Sequence, residues 1–372
     1  MKVLFCGGGT AGHVSPAIAV AEELLRKHPH ASVCFIGREG GEENRAITKA
    51  GYNLQTIRVY GFNRKVSLEN ARRAFIAVRA FFNAKRRIKE INPDIVVGTG
   101  GYVCLPVIRA AQALKIPTVI HESNAVAGLS TRLVATKCNR VFLNFDGCRE
   151  TLKPHCNIIT VGNPIRREFF ELSRAEARSR LNIPSNAFSV ISFGGSLGAE
   201  SLSDACIFLM KEYSNKTPTV HHIHAVGRRH YEKIKKMYPE FCNNRGRVKI
   251  VPYIEDMPIR LKASDVVICR SGAMTVSELA ATGSLAILIP SPNVTDNHQY
   301  KNAKLLADCG AAHLIKEDEL TPSCLIEAVE KIRSSADYRL KMRSAIKKFS
   351  SNDAAEKIVQ EIELIVKEDA LN

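Results

Sequence analysis

Features that would place the chain outside the cytosol or through a membrane are missing. The eleven cysteines are odd in number and never occur as Cys-x-x-Cys, which favours reduced thiols in a cytosolic protein over a disulfide framework. The best apolar stretch, residues 102–120, is interrupted by Arg109 and Lys115 and is too broken for a spanning helix. The first residues lack the order of a secretory signal peptide. We expect a protein that does not cross a membrane, which leaves binding at a membrane surface open.

Motifs of common nucleotide enzymes are missing as well. The glycine turn at residues 7–13 is not the dinucleotide fingerprint, because the second strand, residues 33–37, ends without a carboxylate and Arg38 follows. No Gly-x4-Gly-Lys-Ser/Thr phosphate loop occurs, and no Asp-x-Asp sequence is present to hold a divalent cation against a nucleotide diphosphate. Nicotinamide chemistry and P-loop hydrolysis are therefore disfavoured, and we expect neither a cofactor nor a bound metal.

What remains is an ordinary α/β composition with a strong positive charge. The 372 residues are 45% hydrophobic and 24% charged, enough for about two domains with proper cores. Lys and Arg number 53 against 37 Asp and Glu, which leaves a net charge of +16. Such a field favours a polyanionic partner, which could be nucleic acid, anionic lipid or a phosphorylated substrate.

Short apolar runs alternate with amphipathic stretches along the chain. Unbroken runs separated by helices are typical of parallel strands buried on both faces. The runs in the first half are VLFC, SVCFIG, DIVVGT, PTVIHE and RVFLN, and those in the second half are SVISFG, VHHIHAV, VKIVPYI, DVVICR and LAILIP. The sequence therefore predicts an α/β protein with two doubly wound parallel sheets in succession.

The two halves also resemble each other at their first turns. Residues 3–12 and 189–198 each read as an apolar strand, then Gly-Gly-(Thr or Ser)-x-Gly, then a helix, so each begins a Rossmann-like unit. A final amphipathic stretch predicts a tail helix that returns to the first unit. The expected domains are an N-terminal one, residues 1–165 plus 350–372, and a C-terminal one, residues 166–349.

Small residues are concentrated in strand-to-helix turns. Glycines there let backbone N–H groups approach an anion, and the helix N-terminus adds partial positive charge, so phosphate is the natural ligand. A single turn of this kind often serves only to bring helix and sheet together. The turns are at residues 7–13, 98–102, 194–199 and 270–278. Four in one chain favour a phosphorylated ligand in a cleft between the two domains.

Some ionisable residues near these turns have two interpretations each. Glu278 could accept hydrogen bonds from both hydroxyls of a ribose, or it could complete a capping box with Thr275. His13 and His121 lie where a general base for a sugar hydroxyl is wanted, but such histidines are often hydrogen-bonding spacers. In the stretch 221–224 only two histidines share a strand face, which disfavours a zinc site.

Residues 62–90 form a basic segment with interleaved apolar residues. The segment holds nine Lys and Arg residues against Glu69 and Glu90. It predicts a basic amphipathic helix able to rest on an anionic bilayer, and the alternative is a core helix with a solvated charged face. Nucleic acid is disfavoured as a partner because no recognised nucleic-acid module is present.

A series of ordered motifs covers both halves. They are GGTAGHVSPAIAVAEEL, VVGTGGYVCLPVIRAA, HESNAVAGLSTR, VGNPIR, FGGSLGA, YIEDMP, SDVVICRSGAMTVSELAA and DNHQYKNA. With these motifs the sequence closely resembles the family of peripheral membrane glycosyltransferases that make lipid II for bacterial cell-wall peptidoglycan. The resemblance implies the GT-B fold, two Rossmann-like domains whose parallel sheets face a cleft. It implies that residues 1–165 plus 350–372 are the acceptor and membrane-facing domain and that residues 166–349 are the UDP-sugar donor domain. It also implies a location at the cytoplasmic face of an anionic cell membrane.

The resemblance further implies a reaction. N-acetylglucosamine passes from UDP-N-acetylglucosamine to the 4-hydroxyl of undecaprenyl-pyrophosphoryl-N-acetylmuramoyl-pentapeptide, lipid I, with inversion at the anomeric carbon. His13 is the first choice for the base that takes the hydroxyl proton, and Glu122 is the second. Ser196, neighbouring amides and Arg166 would stabilise the leaving diphosphate. The acceptor's pyrophosphate would meet the first glycine turn and the turn at 98–102.

Binding roles carry over by position in these motifs. The residues implied are Thr10, Ala11, Gly12 and Asn124 on the donor's phosphate and sugar, Arg166 and Ser196 on the diphosphate, Ile254 at the uracil edge, Ala273, Met274, Thr275, Val276, Ser277 and Glu278 along the nucleoside with Glu278 on the ribose, and Gln299 on the N-acetylglucosamine hydroxyls. The open alternatives are another lipid-acceptor glycosyltransferase of the same superfamily, a UDP-sugar 2-epimerase, and a non-catalytic nucleotide-sugar sensor.

Overall fold

The chain divides into two compact units. In the computed structural model these are Met1–Arg166 with Ser351–Asn372, and Arg167–Ser350. The structure describes residues 1–9, 11–41, 44–61, 68–195, 198–243 and 246–371. Within these ranges no helix is both long and apolar enough to span a bilayer.

The N-terminal unit is built on one parallel sheet of seven strands. The strands are β1 (Lys2–Cys6), β2 (Ser32–Arg38), β3 (Asn53–Ile57), β4 (Ile95–Gly98), β5 (Thr118–Glu122), β6 (Arg140–Leu143) and β7 (Ile158–Thr160). The helices are α1 (Ala11–Lys27), α2 (Asn44–Lys49), α3 (Leu68–Ile91), α4 (Cys104–Ala113) and α5 (Leu129–Val134), with 3-10 turns at Ala135–Lys137 and Asp146–Thr151. Apolar cores cover both faces of the sheet, so every residue of β4 and all but Lys2 of β1 are buried.

The C-terminal unit contains a parallel sheet of six strands. These are β8 (Phe188–Phe193), β9 (Val220–Ala225), β10 (Val248–Val251), β11 (Val266–Cys269), β12 (Ala286–Leu288) and β13 (His313–Leu314). Its helices are α6 (Glu168–Glu171), α7 (Arg174–Arg180), α8 (Glu200–Lys216), α9 (Arg228–Met237), α10 (Met257–Ala263), α11 (Ala273–Thr282), α12 (His298–Asp308), α13 (Pro322–Ser334) and α14 (Ala336–Lys347), with 3-10 turns at Pro239–Phe241 and Thr295–Asn297.

Both sheets are doubly wound. The strand orders are β3-β2-β1-β4-β5-β6-β7 and β10-β9-β8-β11-β12-β13, and the paired strands run parallel. The fold class predicted from the apolar runs is therefore confirmed. The apolar runs did not predict β3, β7 and β13. These are short or partly exposed strands away from the centres of the sheets. Their residues do not form the unbroken apolar runs that revealed the buried strands.

The tail helix, α15 (Ala354–Leu371), packs against the N-terminal unit, as the sequence predicted. Its apolar stripe, which includes Ile358 and Ile362, is buried in the same core as α1. Two ion pairs and one further polar contact border this stripe. The ion pairs are Lys27–Glu356 at 3.1 Å and Arg140–Glu361 at 2.9 Å, and Nε2 of His28 lies 2.7 Å from the carboxylate of Glu363. The long return of the chain thus completes one face of the first sheet.

Candidate functional site

Topology groups the four glycine turns into two pairs. In the first sheet β1 and β4 are neighbours, and residues 7–9 and 99–103 of two glycine turns follow these strands. In the second sheet β8 and β11 are neighbours, and residues 194–195 and 270–272 of the other two glycine turns follow them. Each pair lies at the point where the strand order reverses, and ligands of doubly wound sheets bind beyond the carboxyl ends of the strands at this point. Each unit therefore has one candidate ligand site.

The two turns of the N-terminal unit touch each other so closely that only glycine fits. A Cβ atom on Gly101 would lie 1.8 Å from the carbonyl oxygen of Gly8, and one on Gly9 would lie 2.7 Å from the ring of Tyr102. Gly9 and Gly101 also have positive φ angles of 101° and 80°, which other residues rarely adopt. The glycines of both turns thus bring two stretches of backbone together at one corner.

His13 lies at this corner, in the first turn of α1. Thr99 donates a 2.6 Å hydrogen bond from its hydroxyl to the carbonyl oxygen of His13. A Cβ atom on Gly100 would lie 2.7 Å from Nδ1 of the imidazole, so the half-buried ring packs against the second turn. Ala11 and Gly12 are the first two residues of α1, whereas Thr10 lies outside the described residues. The structure therefore places the first-choice base beside both turns.

Glu122, the second-choice base, holds a loop together. Its Oε1 accepts hydrogen bonds from the backbone N–H and side-chain Nδ2 of Asn124, and its Oε2 accepts from the N–H of Gly128 and the hydroxyl of Thr131. These bonds are 2.7–3.1 Å long, and the side chain is buried at the end of β5. A carboxylate has about four acceptor positions. Its bonds give Glu122 the geometry of a positioning residue for Asn124.

His121 is a buried spacer. Nε2 donates to the carbonyl oxygen of Gly162 at 3.0 Å, and Nδ1 lies 3.5 Å from the hydroxyl of Ser123. Burial lowers the pKa of His121 to about 4, although the Gly162 contact opposes that shift. The ring is therefore neutral near pH 7 and fully engaged, as the spacer interpretation predicted.

Glu278 does not belong to a capping box. The helix α11 begins at Ala273 with Gly272 as its N-cap, and no side chain caps it. Thr275 is therefore inside the helix, and the capping interpretation is wrong. Thr275 and Glu278 are three residues apart on the half-exposed face of α11. The remaining carried-over residues of this helix, Ala273, Met274, Val276 and Ser277, are buried.

Glu317 connects the residue that follows β11 to the first turn of α8. Arg270, which follows β11, donates to Oε2 of Glu317 at 2.6 Å, and the hydroxyl of Ser201 on α8 donates to Oε1 at 2.5 Å. Burial alone would raise the pKa of Glu317. The hydrogen bonds from Arg270 and Ser201 outweigh burial and lower this pKa overall. The sequence did not indicate this network, because Ser201 and Glu317 are 116 residues apart.

Gln299 is held near the end of β11 by polar contacts. The hydroxyl of Ser271 donates a 2.9 Å hydrogen bond to the backbone carbonyl oxygen of Gln299. The backbone N–H of Ser291 donates a 2.9 Å bond to the side-chain Oε1 of Gln299. Asp296 and Asn297, just before α12, have φ angles of 53° and 51°. These angles lie in the left-handed region, which non-glycine residues rarely adopt. Two such residues in succession mark a strained loop, and backbone strain is concentrated at functional sites.

The other carried-over residues are more scattered. Ile254 is buried in the segment after β10, and Arg166 is half-buried at the end of the N-terminal unit. Ser196 lies outside the described residues. Among the carried-over residues outside α11, Gln299 is thus joined to the residues just before this helix, through the hydrogen bond from Ser271.

The paired histidines on β9 belong to the core. Nε2 of His222 and Nδ1 of His224 each lie 2.7 Å from the hydroxyl of Ser192, and Nε2 of His224 lies 3.1 Å from the hydroxyl of Ser203. Burial lowers the pKa of His224 to about 4. Among the described residues, no group of three or more His, Cys, Asp or Glu side chains is placed to hold a metal ion.

The helix α3 has one buried and one exposed apolar face. Ala80, Ala84 and Ile88 lie in the core of the N-terminal unit, as the core interpretation requires. Phe75 and Phe82, each 63% exposed, lie on the opposite face with the exposed Val78. Residues 62–67, the preceding basic segment, lie outside the described residues. The helix thus supports the sheet and leaves a second apolar stripe uncovered.

Arginines border this exposed stripe. The guanidinium of Arg79 lies 5.9 Å from the ring centre of Phe75. A groove of about 640 Å³ is lined by these aromatics together with Arg58, Arg72 and Arg86. We call this surface the α3 patch. Aromatics flanked by arginines are typical of surfaces that bind anionic membranes.

Comparison with known proteins gives matches over the full length. The sequence profile of the glycosyltransferase family 28 N-terminal domain matches residues 3–143, and that of the family's C-terminal domain matches residues 189–358. A protein of Bacillus cytotoxicus named UDP-N-acetylglucosamine--N-acetylmuramyl-(pentapeptide) pyrophosphoryl-undecaprenol N-acetylglucosamine transferase is 37% identical over 367 residues, which cover 99% of this chain and 100% of that protein. Its namesake in Acetivibrio thermocellus is 38% identical over 374 residues, with 100% of both chains covered.

Solved structures agree with these matches. Acinetobacter baumannii MurG is 28% identical, with a TM-score of 0.72 over 97% of this chain and 99% of that chain. The S. aureus MnaA-UDP co-structure is 11% identical, with a TM-score of 0.70 over 98% of this chain and 97% of that chain. At that identity the second likeness concerns the fold alone.

Proposed function

Because this chain belongs to glycosyltransferase family 28, with both domains of the family matched, we propose that it transfers N-acetylglucosamine from UDP-N-acetylglucosamine to lipid I and so forms lipid II. The observation that carries this proposal is the pair of glycine turns at each sheet's switch point. One pair lies beside His13, and the other lies beside the helix that presents Glu278. The chain thus has two corners suited to phosphate groups, as a reaction between two diphosphate-bearing substrates requires.

The donor is assigned to the C-terminal unit. The carboxylate of Glu278 would accept hydrogen bonds from the two ribose hydroxyls, and Ile254 would lie at the uracil edge. The N-terminus of α8 would face the diphosphate, where its partial positive charge is stabilising. Ser196 would add a donor to the same phosphates, and Gln299 would bind the hydroxyls of the sugar.

The acceptor is assigned to the N-terminal unit, which also supplies the base. The 4-hydroxyl oxygen of the acceptor sugar attacks the anomeric carbon, its proton passes to the imidazole of His13, and the bond to UDP breaks with inversion. We favour His13 over Glu122 because the carboxylate already accepts four hydrogen bonds. Glu122 would act by holding Asn124 in place.

Transfer of labelled sugar tests the function directly. We expect the purified chain to move radiolabelled N-acetylglucosamine from UDP-N-acetylglucosamine to a soluble lipid I analogue, with one UDP released for each sugar transferred. A UDP-sugar 2-epimerase would instead interconvert the donor without acceptor. A nucleotide-sugar sensor would bind the donor without turnover, and transfer to diacylglycerol alone would indicate another lipid-acceptor glycosyltransferase. Each of these three results contradicts the proposal.

We further propose that the α3 patch binds the cytoplasmic face of the anionic membrane in which the acceptor is embedded. Phe75 and Phe82 would enter the headgroup region, and the arginines around them would contact lipid phosphates. The net charge of +16 would add a longer-range attraction to the same surface.

Removing charge from the α3 patch should weaken vesicle binding. Each arginine near an anionic surface contributes about 1 kcal/mol, so Arg72→Gln with Arg79→Gln should lower affinity for phosphatidylglycerol vesicles roughly tenfold or more. Co-sedimentation at low salt measures this change. The matched control replaces Lys235 and Lys236, exposed on α9, by glutamine. If the variant with Arg72→Gln and Arg79→Gln bound vesicles as tightly as the lysine control, the membrane assignment would be refuted.

A further inference from the structure

One guanidinium group lies beside the first switch point, at the end of β2. Arg38 is the last residue of β2, and its Nη1 donates a 3.2 Å hydrogen bond to the hydroxyl of Tyr102, which follows β4. Because β1 lies between β2 and β4, the two side chains together span the end of β1, where the first glycine turn begins. The arginine stands where a dinucleotide-binding protein would have its ribose-binding carboxylate.

The charge of Arg38 has no anionic partner in the part of the chain that the structure describes. Its second side-chain hydrogen bond, 3.4 Å long, runs from Nη2 to the carbonyl oxygen of Gly40. Its Nε is buried and has no hydrogen-bond partner among the described residues. A partly buried cation bonded only to neutral oxygens loses hydration without gaining an ion pair, which is unfavourable unless a ligand supplies the anion.

Tyr102 in turn packs against two glycines, one of them in the first glycine turn. A Cβ atom on Gly9 would come within 2.7 Å of its ring, and one on Gly61 would come within 3.2 Å. The ring therefore packs against backbone on two sides, and its hydroxyl accepts the hydrogen bond from Nη1 of Arg38. The planar fork of arginine matches the oxygens of phosphate groups. The corner thus combines a preorganised guanidinium with a turn that accommodates phosphate.

We propose that Arg38 binds a phosphate of the acceptor's diphosphate group, and that Tyr102 positions its guanidinium. The assignment rests on the proposed function, because it takes the diphosphate from a lipid-linked acceptor bound to the N-terminal unit. The donor's diphosphate is the other possible source of the same chemistry. Saturation of the donor site with UDP therefore separates the two sources.

Inorganic pyrophosphate is the probe for the first experiment. Calorimetric titration of the full chain with pyrophosphate, in saturating UDP, should show saturable binding that Arg38→Gln weakens about tenfold, as expected for the loss of a charge-assisted hydrogen bond. Arg45→Gln, an equal loss of charge at an exposed residue of the nearby α2, should bind like the unmodified protein. Absence of pyrophosphate binding, or equal binding by Arg38→Gln, would overturn the assignment.

Steady-state transfer kinetics supply an independent measurement. Arg38→Gln should raise KM for the soluble lipid I analogue about tenfold and leave KM for UDP-N-acetylglucosamine unchanged. Arg38→Lys should give an intermediate value, because lysine keeps the charge and loses the fork. Tyr102→Phe should raise acceptor KM by a smaller factor than Arg38→Gln, since only the positioning bond is removed.

The two experiments keep the two proposals apart. If Arg38→Gln weakens pyrophosphate binding but the unmodified chain transfers no sugar, the anion site stands and the proposed function fails. If the unmodified chain transfers sugar and Arg38→Gln retains its acceptor KM, the proposed function stands and the assignment of Arg38 fails. A rise in donor KM alone would place Arg38 on the donor and would also refute the assignment.

Discussion

Replacement of Glu278 by alanine is expected to raise KM for UDP-N-acetylglucosamine about a hundredfold. The carboxylate would lose two hydrogen bonds to the ribose, each worth about 1.5 kcal/mol for a charged acceptor, and about 1.4 kcal/mol corresponds to a tenfold change. Binding made equally in the ground state and the transition state affects KM and leaves kcat nearly constant. Initial rates at saturating acceptor measure both constants.

The fold should tolerate this change. Because Gly272 is the N-cap of α11, the glutamate is not required to cap the helix, and alanine is the best helix former. Glu278→Gln, which keeps one acceptor oxygen, should give an intermediate donor KM. The matched control is Glu327→Ala, at an exposed position on α13. A donor KM for Glu278→Ala equal to that of the control would remove Glu278 from the ribose site.

The buried strands were predictable because their signal is local. An unbroken apolar run such as residues 95–98 is sufficient to indicate a strand buried on both faces. The strand β13 has only two residues and both are half-exposed, so no pattern distinguishes it from a loop. Its place is decided by pairing with β12, an interaction that the local sequence does not contain.

The candidate site was predictable in its parts and not in its arrangement. The glycine turns are visible in the sequence, but the strand order decides which turns become neighbours. Glu122 illustrates the limit, because the four donors around it come from residues up to nine positions away and become visible only once the loop is folded. The partner of Arg270 is still more distant, at Glu317. Side-chain chemistry can be read from sequence, whereas the number of contacts that a side chain satisfies depends on tertiary structure.

Replacement of His13 by alanine is expected to lower kcat by roughly 10²–10⁴, the usual contribution of a general base. The donor should still bind, because the groups assigned to it in the C-terminal unit are unchanged. Calorimetric titration with UDP should therefore give the same Kd for His13→Ala as for the unmodified chain. A loss confined to kcat is the signature of an interaction made only in the transition state.

A pH profile distinguishes proton transfer from packing. If His13 is the base, the rise of kcat with pH on the acid side should be present in the unmodified chain and absent in His13→Ala. His13→Gln, which fills the space beside Gly100 but does not titrate, should be as slow as the alanine variant. A merely structural role predicts that glutamine restores the rate. The control is His30→Ala, since this exposed histidine lies beyond the other end of α1. An acid limb that persists in His13→Ala would assign the base to another group, with Glu122 the next residue to replace.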